Sequence, residues 1–150
     1  MTKVAVIALL LICSGCSTNG AFEQKIVRRI NSTCKGSIDC TIRIKDLTNF
    51  DWDKMYAFKY TVRADEAEKA MGVPLPEYTE FTRKIVFLKS NQIVYFEEEP
   101  TDIEGPVNGQ IAFDIPDLGN YKLYTPDTAV FKARKLESRN IVYYELNQIQ

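Results

Sequence analysis

Histidine is absent from all 150 residues. That removes the Ser-His-Asp and Cys-His arrangements of nucleophilic catalysis in their usual forms, together with the commonest zinc ligand. No Gly-x-Ser-x-Gly elbow compensates for the loss. Excess charge is missing too: 19 basic against 20 acidic side chains give a formal net charge of −1, no electrostatic footprint for nucleic acid. The longest apolar run, Val4 to Ile12, is nine residues, whereas a membrane-spanning helix takes roughly 20. Pro106, Pro116 and Pro126 are evenly spaced, but the residues around them do not repeat, so the chain is no array. Carboxylate chemistry is the catalytic option that these absences leave standing.

What is present begins at the N-terminus. Lys3, the apolar run and the small pair Ser14-Gly15 have the order of an export signal: basic flank, short apolar core, small-residue cleavage site. Cys16 follows directly. Ser14-Gly15-Cys16 resembles the last three positions of the lipobox of bacterial lipoproteins, with Cys13 where that family usually carries an aliphatic residue. The resemblance implies a signal peptide over residues 1–15 and an acylated Cys16 carrying diacylglycerol and an N-acyl chain. No other cofactor is expected. It also implies a tether over residues 16–21 and one domain over residues 22–150. Two or more acyl chains hold a protein stably on a bilayer where one holds it marginally. In enteric-type lipoproteins, a residue other than Asp after the cysteine directs the chain to the outer membrane. Ser17 therefore implies the periplasmic side of that membrane. The competing reading is an ordinary secretory signal cut near Gly15 or Gly20.

Loss of residues 1–15 removes Lys3 and leaves 18 basic and 20 acidic side chains, a net charge of −2. Cys34 and Cys40 remain as an even pair in an exported chain, where oxidising conditions favour a disulfide. Five residues separate them, so the ring is short and contributes about 2 kcal/mol in the chain-entropy model. The spacing is that of a staple, not of a CxxC redox centre.

Along the domain, Phe22, Ile26, Val27 and Ile30 recur at helical spacing with Lys25, Arg28 and Arg29 opposite, predicting a helix from Phe22 to Ser32. That basic face serves either anionic headgroups or plain solvation. Alternation at Thr41–Lys45 predicts a half-buried strand. Another follows at Trp52–Tyr60, with Tyr56, Phe58 and Tyr60 on one face and Met55, Ala57 and Lys59 on the other. The stretch from Phe50 to Phe58, with its Asp-Trp-Asp-Lys-Met-Tyr core, resembles small uncharacterised bacterial exported and lipoprotein sequences; it carries no activity with it. Asp65-Glu66-Ala67-Glu68 has the pattern of a capping box opening a short helix that Gly72 ends. Strands follow at Arg83–Leu88 and Ile93–Glu98, joined through Lys89 to Gln92, and then at Gln110–Ile115, Tyr121–Tyr124, Ala129–Leu136 and Ile141–Leu146. The expected fold is α+β: an N-terminal helix and one short helix on a mostly antiparallel, meandering sheet of six to eight strands.

Three constellations bear on chemistry. Glu97-Glu98-Glu99, with Asp102 and Glu104, has the ligand type for a cation, but not the calcium-loop motif. The same carboxylates, or Asp51 and Asp53 beside Trp52, have the residue types of a glycosidase pair. Trp52, Tyr56 or Tyr95, if exposed, would anchor a partner, since amphipathic aromatics dominate interface hot spots. The leading expectation is a non-enzymatic, lipid-anchored envelope lipoprotein whose domain faces the periplasm and binds a protein or wall component. The alternatives are a lipid-anchored, carboxylate-dependent wall hydrolase and a carrier of a small apolar ligand. A hydrolase needs two carboxylates converging in a cleft. A carrier needs an apolar cavity lined by Tyr and Phe, and a binding module needs an exposed aromatic patch.

Overall fold

The computed structural model describes residues 20–34 and 40–149. The lipobox, Cys16 and the signal segment lie outside them. The elements are α1 (Ala21–Thr33), β1 (Cys40–Arg43), a 3-10 turn (Ile44–Leu47), β2 (Lys54–Phe58), α2 (Ala64–Met71), β3 (Thr82–Lys89), β4 (Gln92–Pro100), β5 (Ile111–Phe113), β6 (Tyr121–Tyr124), β7 (Val130–Ser138) and β8 (Ile141–Gln148). Two helices on mostly antiparallel strands make the fold α+β, as the sequence predicts.

The strands form two four-stranded sheets, not one meander. One runs β1-β7-β8-β5 and the other β4-β3-β2-β6, with β5 parallel to β8. The reason is the burial demand of the central strands. Met55 to Phe58 of β2 and Lys84 to Leu88 of β3 are buried on both faces, so their sheet must be covered on both sides. Met55, Ala57, Ile85 and Phe87 point into the main core, shared with α1 and the first sheet; Tyr56, Phe58, Val86 and Leu88 pack under α2 with Val62, Ala67 and Met71. The second sheet is the middle layer.

Helix α1 buries Phe22, Ile26 and Ile30 and leaves Lys25, Arg28 and Arg29 exposed. Fully burying each such apolar side chain is worth roughly 1.5–3 kcal/mol. Its C-cap, Cys34, forms the predicted disulfide with Cys40 at the head of β1, with a Cα separation of 5.3 Å. The strand expected through Lys45 stops at Arg43, where the 3-10 turn buries Ile44. The strand expected over Trp52–Tyr60 is the shorter β2, and Tyr60 falls in the following turn.

Both long hairpins close on two residues with positive φ, Ser90-Asn91 (48° and 61°) and Arg139-Asn140 (51° and 65°). This left-handed pair matches strand twist and suits Asn. The capping box at Asp65 is not formed. The N-cap of α2 is Arg63, without a side-chain cap; Asp65 pairs with Arg63, and Glu68 accepts from the backbone N–H of Leu75 instead. Gly72 ends the helix at φ 74° as expected.

Candidate functional site

Along the inward face of the middle sheet, Ala57 stands opposite Ile85 on one side and Lys122 on the other. An alanine there leaves space that a larger side chain would occupy. The first sheet does not fill it, because β5 is three residues long and the chain departs after Phe113. The result is a half-open cleft of about 330 Å³ between the sheets, at the lower end of the volumes that hold small molecules. Ala57, Phe58 and Ile85 line it from the middle sheet, and Ile111, Phe113 and Ile115 from the other. The loop from Thr101 to Gly105, pinned by a bridge between Asp102 and Gly105, closes a third side and adds Ile103.

Of the charged residues on the wall, Lys59, Arg83 and Lys84 are cationic and Asp102 is acidic. Lys59 donates its Nζ to the carbonyls of Pro116 and Asp117 at 2.7 and 3.2 Å. Arg83 crosses the end of the cleft: Nη1 reaches Glu23 at 2.5 Å and the carbonyl of Ile111 at 2.7 Å, while its buried Nε has no hydrogen-bond partner. Lys84 buries its ammonium on the outward face of β3, away from the cleft, held by the Thr79 and Thr82 carbonyls and paired with Glu98 at 3.4 Å. Burial draws its ammonium below the usual lysine range.

Beside Arg83 lies the carboxylate cluster. Alternation on β4 turns Glu97 and Glu99 inward and Glu98 outward, toward Lys84 and Thr79. The inward pair meets the start of α1. Glu99 accepts the Gly20 N–H at 2.6 and 2.8 Å, and Glu97 accepts those of Phe22 and Glu23 at 2.9 and 3.1 Å. These are orphan donors of the first helical turn, satisfied from another strand instead of by a local cap. Tyr95 adds a short hydrogen bond to Glu97. Glu99 is fully buried. Burial, its hydrogen bond with Glu97 and the nearby charge of Glu23 push its carboxyl up to about 9. Glu23 is raised as well, chiefly by burial, with Arg83 pulling the other way.

The residues singled out in the sequence are placed as follows. Trp52 is 6 % exposed, edge-on to Phe87, its indole N–H donating to Thr48. Tyr56 is 4 % exposed, stacked on Phe58, its hydroxyl donating to the Ala70 carbonyl. Tyr95 is half-buried against Phe22, Phe50 and Phe87. These three are packing residues and form no exposed aromatic patch. Asp53 accepts from the Ser90 N–H, away from any paired carboxylate. Asp102 accepts from Glu104 within its own loop, and no three acidic or cysteine side chains among the described residues gather as a metal site. The two carboxylates that do converge, Glu97 and Glu99, spend their oxygens on the helix terminus. The cleft itself went unread in the sequence; its signal was one alanine amid aromatic neighbours.

No protein-family model, curated protein or solved structure matches the chain. What fold and site define is therefore a class only: an α+β domain of two stacked sheets with an apolar cleft between them.

Proposed function

We propose that the chain is a lipid-anchored, non-enzymatic lipoprotein of the cell envelope whose domain binds an apolar ligand in the cleft between its sheets. The observation that carries this reading is the cleft: about 330 Å³ walled by Ala57, Ile85, Ile111, Phe113 and Ile115. It is the feature that separates a carrier from a hydrolase or an aromatic docking module. The anchor is supplied by Ser14-Gly15-Cys16 and places the domain on the periplasmic side of the outer membrane. The exposed Lys25, Arg28 and Arg29 of α1 suit an anionic surface, each worth about 1 kcal/mol near one. Burial of Glu23 strips that helix of its competing acid. Hydrolysis by Glu97 and Glu99 is disfavoured, because both carboxyls are buried and their oxygens are taken up by the backbone N–H groups of Gly20, Phe22 and Glu23.

The test has two parts. Cys16→Ala is expected to move the protein from the membrane to the soluble fraction and to abolish palmitate labelling; unchanged fractionation rejects the anchor. For the cleft, the soluble Cys16→Ala chain is titrated with the fluorophore 1-anilinonaphthalene-8-sulfonate. Saturable binding that Ala57→Leu weakens at least tenfold is expected, and binding indifferent to that change rejects the ligand site.

A further inference from the structure

The cleft opens at one particular end of the molecule, and three large apolar side chains stand exposed around that end. Ile103, in the loop that closes the cleft, is 72 % exposed. Thr82 pairs with Pro100, so Phe81, 62 % exposed, comes next to Thr101 at the same rim. Its φ of 57° is a conformation that bulky residues avoid. Leu118, fully exposed, follows Asp117, whose carbonyl is held by the cleft residue Lys59. These three are the most exposed large apolar side chains among the described residues, and an apolar rim of this kind marks a place that meets something other than water.

The start of α1 is at this end too. Glu99, one residue before Pro100, holds Gly20, and Arg83 joins Glu23 to the cleft wall. From Gly20 back to Cys16 the chain can span at most about 14 Å. An acylated Cys16 therefore keeps this end of the domain, and the cleft mouth with it, beside the bilayer.

The lining narrows the chemistry further. Ile85, Ile103, Ile111 and Ile115 give the walls a large aliphatic share, to which Phe113 and Tyr60 add rings, and it is the bilayer beside the mouth that favours an acyl chain over other apolar ligands. Among the charged groups of the lining, Lys59 has neutral carbonyl partners that do not cancel its charge, Arg83 is paired with Glu23 but keeps its buried Nε without an acceptor, and Asp102 stands on the loop side. A buried donor without a partner is costly and is relieved by an acceptor on a ligand.

We propose that the cleft takes one unbranched acyl chain, with its carboxylate or phosphate head at Lys59 and Arg83 and its mouth seated on the bilayer surface. This rests on the reading of the cleft as a ligand site given above. The chain comes from a bilayer lipid; the acyl chains of the Cys16 anchor are held in ester and amide linkage and carry no carboxylate or phosphate for Lys59.

The fluorophore bound to the Cys16→Ala chain is displaced with sodium dodecanoate and, in parallel, with adamantane-1-carboxylate, an apolar acid of compact shape. Dodecanoate is expected to compete at least tenfold better, and Lys59→Gln to weaken it severalfold without changing the affinity of dodecanol. Equal competition by the two acids overturns the acyl inference while the cleft remains a ligand site; absence of fluorophore binding sensitive to Ala57→Leu removes that site itself. Ile115→Trp serves if Ala57→Leu fails to fold by near-ultraviolet circular dichroism. The source is read from photo-crosslinking of the acylated chain in nanodiscs. Crosslinks to β5 from a diazirine-bearing phosphatidylglycerol support a bilayer lipid, and crosslinks only from a diazirine fatty acid incorporated on Cys16 overturn the assignment of an anionic head at Lys59. Crosslinks from neither overturn the proposal.

Discussion

Glu99 is a buried carboxyl whose surroundings favour its protonated form. Its carboxyl in the folded chain is raised from the ordinary 4.5 to about 9. Between those values the unfolded chain has lost the proton that the folded chain keeps, so folding stability falls as pH rises. Full stabilisation is present below about pH 4.5, and it is lost progressively toward pH 9. We expect the midpoint of urea denaturation to be higher at pH 5.5 than at pH 8.5, and Glu99→Gln to flatten that slope; a slope that persists in the variant refutes the assignment. Gly20 belongs to the same knot. A Cβ there would lie 2.0 Å from Glu99 Oε1 and 2.2 Å from Glu97 Cδ, so both buried side chains would have to shift and give up hydrogen bonds to the helix start. Gly20→Ala should cost about 1–3 kcal/mol, the usual range for overpacking, as measured by the same denaturation midpoint.

Among the elements, the ends were harder to read than the middles. The periodicity of α1, the two long hairpins and the pairing of Cys34 with Cys40 were all legible, because apolar spacing, Asn-bearing turns and cysteine parity act locally. The capping box was misleading, since Arg63 claims Asp65 and Leu75 claims Glu68, competitors that a four-residue pattern does not include. The helix cap that does matter, Glu97 and Glu99 on α1, spans more than 70 residues and has no local signature. The staple makes its own prediction. Cys34→Ala with Cys40→Ala should lower stability by about 2 kcal/mol and leave the fold intact, and the native pair should resist alkylation until reduced. Thiol labelling of the untreated folded protein would contradict it.

For the whole molecule, the class of fold was visible and the layering was not. Counting strands does not tell how many sheets they make; that is decided by which strands are apolar on both faces. Trp52 and Tyr56 illustrate the limit, since an aromatic residue in a strand has the same pattern whether it faces solvent or a second layer. The cleft escaped for the converse reason, being defined by side chains that are small or missing. The order of the first sheet has a temporal side as well. Its strand β1 waits for β7, whose residues emerge about ninety positions later, and β5 waits for β8. The β2–β3–β4 portion of the other sheet can pair as soon as Pro100 is available. A chain made from its N-terminus therefore keeps Ile42 of β1 without its strand partner until β7 arrives, near the end of synthesis. Stopping synthesis after β6 should yield a protease-sensitive, chaperone-dependent fragment, not a smaller working domain.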